Sequence, residues 1–344
     1  MNFKILYDIT DNRLVEFLNN SDKATIYHHP LWLKAISNTF KHKPFYLLLL
    51  DVDENIKGLI PFIYLKSILT GKRIVSVPFS TYCDPILPAD SIEDAIKFLV
   101  KESGIERIQL RTITNLSKEL NYFSVQYGYV SHVLKLRENI DTTFSSFHPR
   151  SIRRPIRHSE QNNFVLESGA SLNDLKIFYK LELGLRSKLS LPPLPFRFFE
   201  NILLELSKYN MINIISLKIG GNPIASAFVL KYKDTHYLEY AASDSRYLNL
   251  YPNHKLYWEI VKSAQNSGAK YLDFGRTSVN NESLIVFKEK WNADRIDLHY
   301  YHQPKVNITD EPSKLVKFLF QRLNNILPEK VLQLEGNLLY PHLD

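Results

Sequence analysis

From Tyr46 the chain sets up a rhythm of apolar runs and short polar interruptions. "YLLLL" breaks at Asp51, passes through Asp53, Glu54 and Asn55, and resumes as "IKGLIPFIYL". Two apolar runs joined by so tight a polar turn predict a β-hairpin. A third strand follows in "KRIVSVPFSTYCDPIL", then apolar positions spaced three and four apart in "SIEDAIKFLVKE" predict a helix, and "SGIERIQLR" returns to a strand. The whole succession recurs later in the chain. "NIISLKIGGNPIASAFVLKY" reads as a hairpin around Gly220-Gly221-Asn222, "THYLEYAASDS" as the third strand, "PNHKLYWEIVKSAQN" as the helix and "SGAKYLDFGR" as the fourth strand. Asn55 and Gly104 lie 49 residues apart, Asn222 and Gly268 46 apart, so the pattern predicts a duplicated unit.

In each unit the helix opens after a Ser, Asp or Pro-Asn signal and stops at Ser-Gly, as helix boundaries do. A hairpin followed by a strand–helix–strand step builds a mixed, mainly antiparallel sheet flanked by helices, so the expected fold class is α+β with two tandem domains. The expected division is a first domain over 1–143, a second over 144–305 and a helical tail over 306–344. A further helix is expected in "SLNDLKIFYKLELGLRSKL". In the tail, "EPSKLVKFLFQRLNNIL" carries Leu315, Val316, Phe318, Leu319 and Leu323 at helical spacing; it suits packing across a domain, with peripheral membrane contact as the other reading.

Composition narrows the class. At 344 residues with 44% hydrophobic and 12% aromatic content, the chain can fill two cores. Its apolar runs fall far short of the roughly 18 residues of a membrane helix, and no secretory signal is visible at Lys4, Asp8 and Asp11. A single cysteine, Cys83, excludes an internal disulfide and fits a cytoplasmic location. The histidines are dispersed, and His299 and His302 sit three apart in an extended run, so no metal site is expected. The net charge of +7 is concentrated: Arg150, Arg153, Arg154 and Arg157 fall within eight residues with no acid among them.

Several segments together resemble the Fem-type branch of the GNAT acyltransferase superfamily, whose members carry two tandem acyltransferase folds. They are "HHPLWLKAI", "GKRIVSVPFSTYCDPIL", "RSIRRPIRHSEQNNF", "LYPNHKLYWEIVKSAQNSGAKYLDFGRT", "FKEKW" and "GNLLYPHLD", in the family's order and over almost the whole chain. The resemblance implies transfer of an acyl or aminoacyl group to an amine, from acyl-coenzyme A or aminoacyl-tRNA, to a cell-wall precursor on a nucleotide-linked or lipid-linked carrier. Shorter relatives accompany exopolysaccharide or cell-envelope synthesis. Two features depart from the pattern. Coenzyme A-using members cradle the pyrophosphate with a glycine-rich turn, yet "SDSRYLNLYPNHK" contains no glycine. The long paired-helix insertion of the larger tRNA-using enzymes is missing from the sequence pattern.

Within "YLDFGRTSVNNESLIVFKEKWN", Lys288 is the candidate for stabilising the anionic tetrahedral intermediate, and the family's matching Phe-Lys pair lies at the junction of donor and acceptor. Phe287 and Trp291 flank it and are expected to wall its pocket; the other reading is a solvated lysine beside an aromatic core. Asp273 either binds the acceptor ammonium or accepts its proton, or else only pairs with Arg276 or caps the turn, and Gly275 allows a bend. Tyr237 and Glu239 border the expected donor strand, although Glu239 alternates with Leu238 and Tyr240 and so can face outward. Asn253 is expected to cap the helix after Pro252. Arg186 matches a recurrent family arginine expected to contact an acceptor phosphate or carboxylate. On a helix, Arg150, Arg153, Arg154 and Arg157 share one face, with Pro155 bending it or marking its first turn, and such a face suits a diphosphate or a tRNA backbone. The first repeat lacks both Asp-Phe-Gly and Phe-Lys and is expected to be non-catalytic. A duplicated scaffold that binds an anionic carrier or a partner protein without catalysis is the competing reading.

Overall fold

The computed structural model describes residues 2–67, 71–189, 191–304 and 336–342. The helix expected over "EPSKLVKFLFQRLNNIL" lies outside them, as does most of the expected tail. The chain forms two compact units. Among the described residues, the first comprises 2–129, 297–304 and 339–342, and the second 130–296 and 336–338.

The first unit begins with β1 (Asn2–Leu6), α1 (Asn12–Asn20) and α2 (Pro30–Phe40), the last started by Pro30 in its opening turn with the His29 side chain accepting from the Leu31 N–H. The predicted hairpin is β2 (Lys43–Leu50) and β3 (Ile56–Ser67), followed by β4 (Gly71–Val75), α3 (Ile92–Ser103) and β5 (Ile108–Thr112). β2 and β3 pair antiparallel, β3 and β4 antiparallel, and β4 and β5 parallel. Phe45, Leu47, Ile60 and Phe62 of the hairpin and Ile96 and Leu99 of α3 form its core. The chain then enters β6 (Ser124–Lys135), within which it passes into the second unit.

The second unit opens with α4 (Ile140–Ser146), a wider π turn over Pro149–Arg153 and α5 (Arg154–Ser159). Next come β7 (Val165–Gly169), α6 (Leu172–Lys188) and α7 (Phe196–Leu206). The repeated motif follows as β8 (Ile212–Ile219), β9 (Asn222–Tyr232), β10 (Thr235–Ser243), α8 (Pro252–Asn266) and β11 (Tyr271–Asp273). β8 and β9 pair antiparallel, β9 and β10 antiparallel, and β10 and β11 parallel. Strand order and strand sense therefore match those of the first unit, as the sequence repeat predicts. Alternation along β9 decides which helices cover which face. Ala225, Ala227 and Val229 join Leu256 and Ile260 of α8, whereas Phe228 meets Phe178 of α6 and Phe199 of α7 at ring separations of 5.5 and 5.4 Å.

After β11 come the short β12 (Thr277–Ser278), α9 (Glu282–Glu289) and β13 (Asp294–Gln303), and the described residues 336–342 are helical. The expected boundaries shift here. β6 crosses between units at Tyr129–Val130, not near Thr143, and His299–Gln303 pair with Ile108–Thr112 in the first unit instead of ending the second. Pairing at such sequence separation has no local signature, so a linear division misplaces it.

Candidate active site

Parallel pairing of β10 with β11 runs only through Thr235–Tyr271, His236–Leu272 and Tyr237–Asp273. Beyond that point β10 continues to Ser243, but the other chain turns away at Gly275, whose φ of +69° lies in the left-handed region. A Cβ built on Gly275 would stand 3.0 Å from the Leu238 carbonyl oxygen, so only glycine brings the two backbones this close before they part. The register of β10 against β9 slips between Leu238 and Tyr240, which marks a bulge at Glu239. The extra residue puts Leu238 in the core with α8 and Tyr240 against Phe199 of α7 (5.1 Å), and it turns Glu239 into the opening. The simple alternation expected around Glu239 does not hold.

The diverging strands leave a cleft of about 480 Å³. Its walls include Leu238 and Glu239 from β10, Phe274, Gly275 and Arg276 after β11, Tyr257 from α8, Leu185 from α6, and Phe287 and Lys288 from α9. Lys288 is only 3% exposed, and its ammonium donates to the carbonyls of Phe274 (2.5 Å) and Gly275 (2.8 Å). Burial lowers its pKa from 10.5 to about 8, while the nearby carboxylates of Asp273 and Glu239 favour the charged form. Lys288 is thus a held cation at the cleft wall, not a solvated surface lysine.

Asp273 is 1% exposed and lies behind the cleft instead of lining it. Its Oδ1 accepts from the Gly275 N–H (2.7 Å) and the Ser131 hydroxyl (2.8 Å), which fixes the turn whose carbonyls hold Lys288. Direct contact with an acceptor ammonium is therefore not its place. Trp291 is fully buried and does not line the cleft: its ring packs on Phe147 (5.1 Å), Tyr257 (5.7 Å) and Phe274 (6.3 Å), backing the cleft from within the core. Tyr237 is likewise buried at the last paired position of β10. Arg186 is held on α6 by the buried Glu182, Nε to Oε1 at 2.6 Å, and does not line the cleft. Asn253 does line it and is not a cap; α8 starts at Pro252 after Tyr251, without a side-chain capping bond.

The arginine segment splits. Arg150 and Arg153 lie in the π turn, Arg154 and Arg157 in α5 with Pro155 in its first turn, and the four side chains do not share one regular helical face. Arg150, Arg154 and Arg157 are exposed, Arg153 is half-buried, and the Arg157 guanidinium lies 5.6 Å from the Phe144 ring centroid. None of them lines the cleft.

Sequence reasoning missed Tyr257, Asn281, Ser283 and Leu284 in the cleft wall. Asn281 was open to discovery, since it stands at a helix-starting position and accepts from the Leu284 N–H. Tyr257 gives no such signal, because an aromatic in an apolar helix reads as core. His132, fully buried on β6, was also missed; burial, then the charges of Lys288 and Arg295, lower its pKa to about 4 and keep it neutral.

Residues 146–283, which include β10, its bulge and β11, match the acetyltransferase (GNAT) domain family. The fold is that of a tandem GNAT protein. FemX superposes with a TM-score of 0.69 at 14% identity, covering 94% of this chain and 100% of that one. A tandem GNAT protein from the clavulanic acid biosynthesis pathway gives 0.52 at 8% identity over 88% and 98%. A 92-residue stretch is 30% identical to the Lipid II:glycine glycyltransferase of Staphylococcus haemolyticus (strain JCSC1435), covering 25% of this chain and only 22% of that protein's length. Residues 146–283 are thus similar to the GNAT domain family, and the fold is shared with FemX.

Proposed function

We propose that the protein transfers an aminoacyl group to an amine of a cell-envelope precursor held on a nucleotide-linked or lipid-linked carrier, acting in the cytoplasm. The observation that carries this reading is the buried, doubly hydrogen-bonded ammonium of Lys288 at the cleft wall. An ammonium has three N–H donors, and two are taken by the Phe274 and Gly275 carbonyls. The third is the donor for the developing oxyanion. The neutral amine attacks the ester carbonyl and forms the C–N bond; the intermediate collapses with cleavage of the C–O bond, and the proton lost by the amine leaves with the departing hydroxyl. A fixed cation costs no reorganisation at that moment and supplies roughly 3 kcal/mol. Glu239, half-buried on the bulge, supplies the negative charge that attracts the incoming ammonium before it loses its proton.

Coenzyme A does not fit the usual GNAT cradle here. The connection from β10 to α8 has no glycine, Pro252 at the first helical position has no N–H, and the Tyr251 N–H is spent on the Leu248 carbonyl. This favours an aminoacyl-tRNA ester over an acyl thioester as donor.

The test is to incubate the purified protein with an aminoacylated RNA hairpin and a carrier-linked peptide amine, and separately with acetyl-coenzyme A, and to weigh the acceptor by mass spectrometry. One aminoacyl residue gained only from the RNA ester is the expected result. No gain from either donor, with envelope precursors unchanged when the gene is deleted, would establish the non-catalytic scaffold instead.

A further inference from the structure

We propose that His132 is a positioning residue that keeps Lys288 protonated: its uncharged imidazole solvates the buried ammonium from the core side without pairing with it. This rests on the reading of Lys288 as the oxyanion partner. The two residues are joined through one backbone unit. β11 lies against β6 with Asp273 opposite Val133 and Leu272 opposite Leu134, so the next residue, Phe274, falls opposite His132. The Phe274 N–H donates to the His132 carbonyl (2.8 Å), and the Phe274 carbonyl accepts from the Lys288 ammonium (2.5 Å). Side chains alternate along a strand, so Ser131 turns toward Asp273, to which it donates at 2.8 Å. His132 turns to the other face, that of Leu134, Leu272 and Phe274, which pack in one core with Trp291.

The ring differs from other buried histidines of the chain. His28 and His236 each direct Nε2 at an oxygen, the Asp84 carbonyl at 2.8 Å and the Ser267 hydroxyl at 3.1 Å. His132 is completely buried, and neither of its ring nitrogens meets a hydrogen-bond partner among the described residues. Leaving buried polar atoms unpaired lowers stability, so a hydrocarbon of similar size would pack at less cost. What a hydrocarbon lacks is the ring dipole, and Lys288 is near enough to feel it. Burial, and after it the charges of Lys288 and Arg295, hold the imidazole neutral.

The residue type follows from these surroundings. Burial works against the Lys288 charge, Asp273 and Glu239 work for it, and Tyr257 and Arg276 share the cleft lining with it. A carboxylate at position 132 would pair with the ammonium and consume the donor left for the oxyanion. A hydrocarbon would strip the ammonium of polar surroundings and drive it toward the free amine. A second cation is opposed by Lys288 and Arg295. A neutral imidazole meets all three conditions.

The experiment separates this assignment from the transfer reaction. The protein is prepared with isotopically labelled lysine, and its ammonium groups are titrated by NMR from pH 6 to 10, Lys288 being the resonance absent from Lys288→Met. In His132→Leu the Lys288 pKa should fall by at least about half a unit, roughly a threefold shift toward the free amine at a given pH. The descending limb of the transfer rate should move down with it. The thermal midpoint should stay at or above the wild-type value, because two unpartnered polar atoms are gone. His132→Gln, which puts a neutral amide in place of the ring, should bring the Lys288 pKa back toward that of the wild type. An unchanged Lys288 pKa in His132→Leu, or a midpoint several degrees lower, overturns the assignment. A lowered pKa with an unmoved limb upholds His132 and refutes the oxyanion role of Lys288 instead. Because the titration needs no turnover, a protein that transfers nothing still decides the part played by His132.

Discussion

Replacing Lys288 by methionine removes the charge while keeping most of the side chain's volume, and the structure sets the expected size of each effect. A pKa lowered from 10.5 to about 8 means that the fold disfavours the charged form by roughly 3 kcal/mol, and methionine relieves this. Against that relief, the Phe274 and Gly275 carbonyls lose their donor, at about 1 to 3 kcal/mol each. The two nearly cancel, so the thermal midpoint should move by a few degrees at most. Turnover should fall by about a hundredfold, the scale for losing one oxyanion donor. The pH dependence has a definite sign. Because the folded pKa lies below the unfolded value, the burial penalty is full below pH 8 and fades between pH 8 and 10.5, so this lysine's contribution to stability rises across that window. Transfer does the opposite: as Lys288 loses its proton above pH 8, the wild-type rate should descend, and the methionine variant should lack that limb. Single-turnover transfer followed by mass spectrometry from pH 6 to 10, with melting curves on the same samples, measures all of this. Normal turnover in the variant, a descending limb that survives the substitution, or matched losses of activity and stability would each refute a catalytic Lys288.

Asp273→Asn should keep the turn at Gly275 but remove the charge that favours protonated Lys288, moving the descending limb of the rate profile to lower pH; an unmoved limb removes Asp273 from the electrostatics of the site. Trp291→Phe should lower stability by about 1 to 3 kcal/mol in denaturant unfolding while leaving KM unchanged, because the ring is fully buried behind the cleft; a change in KM without loss of stability would return it to the wall. Exchanging Arg153 and Arg154 for Gln should weaken carrier or RNA binding and reduce its salt dependence with the fold intact, and wild-type affinity at two salt concentrations would leave the segment a solvated surface.

The hairpins, the helices and their duplication were legible because each rests on local chemistry: an apolar run that breaks at Asp51, two glycines at Gly220 and Gly221, a Ser-Gly after each helix. Lys288 and Phe287 were legible as part of a compact motif. The bulge at Glu239 was not, since it breaks the alternation by which a strand is recognised. Nor was the placement of Trp291 or Asp273. An aromatic or a carboxylate near a reactive lysine reads alike whether it faces ligand or core, and only the packing of Phe147, Tyr257 and Ser131, from distant parts of the chain, decides between the two. Pairing of β13 with β5 joins residues almost two hundred positions apart and leaves no trace in any local window.

The parting of β10 and β11 has a consequence for how such proteins diverge. The opening is made by main chain: two strands that stop pairing after Tyr237 and Asp273, one inserted residue and one glycine. The side chains of Asp273 and Lys288 brace the turn, and those of the cleft wall furnish the opening. Lineages can therefore exchange Leu185, Tyr257 or Arg276, and with them the groups that are admitted, while the aperture persists. A superposition of 0.69 with FemX at only 14% identity shows how much sequence change the fold as a whole accommodates.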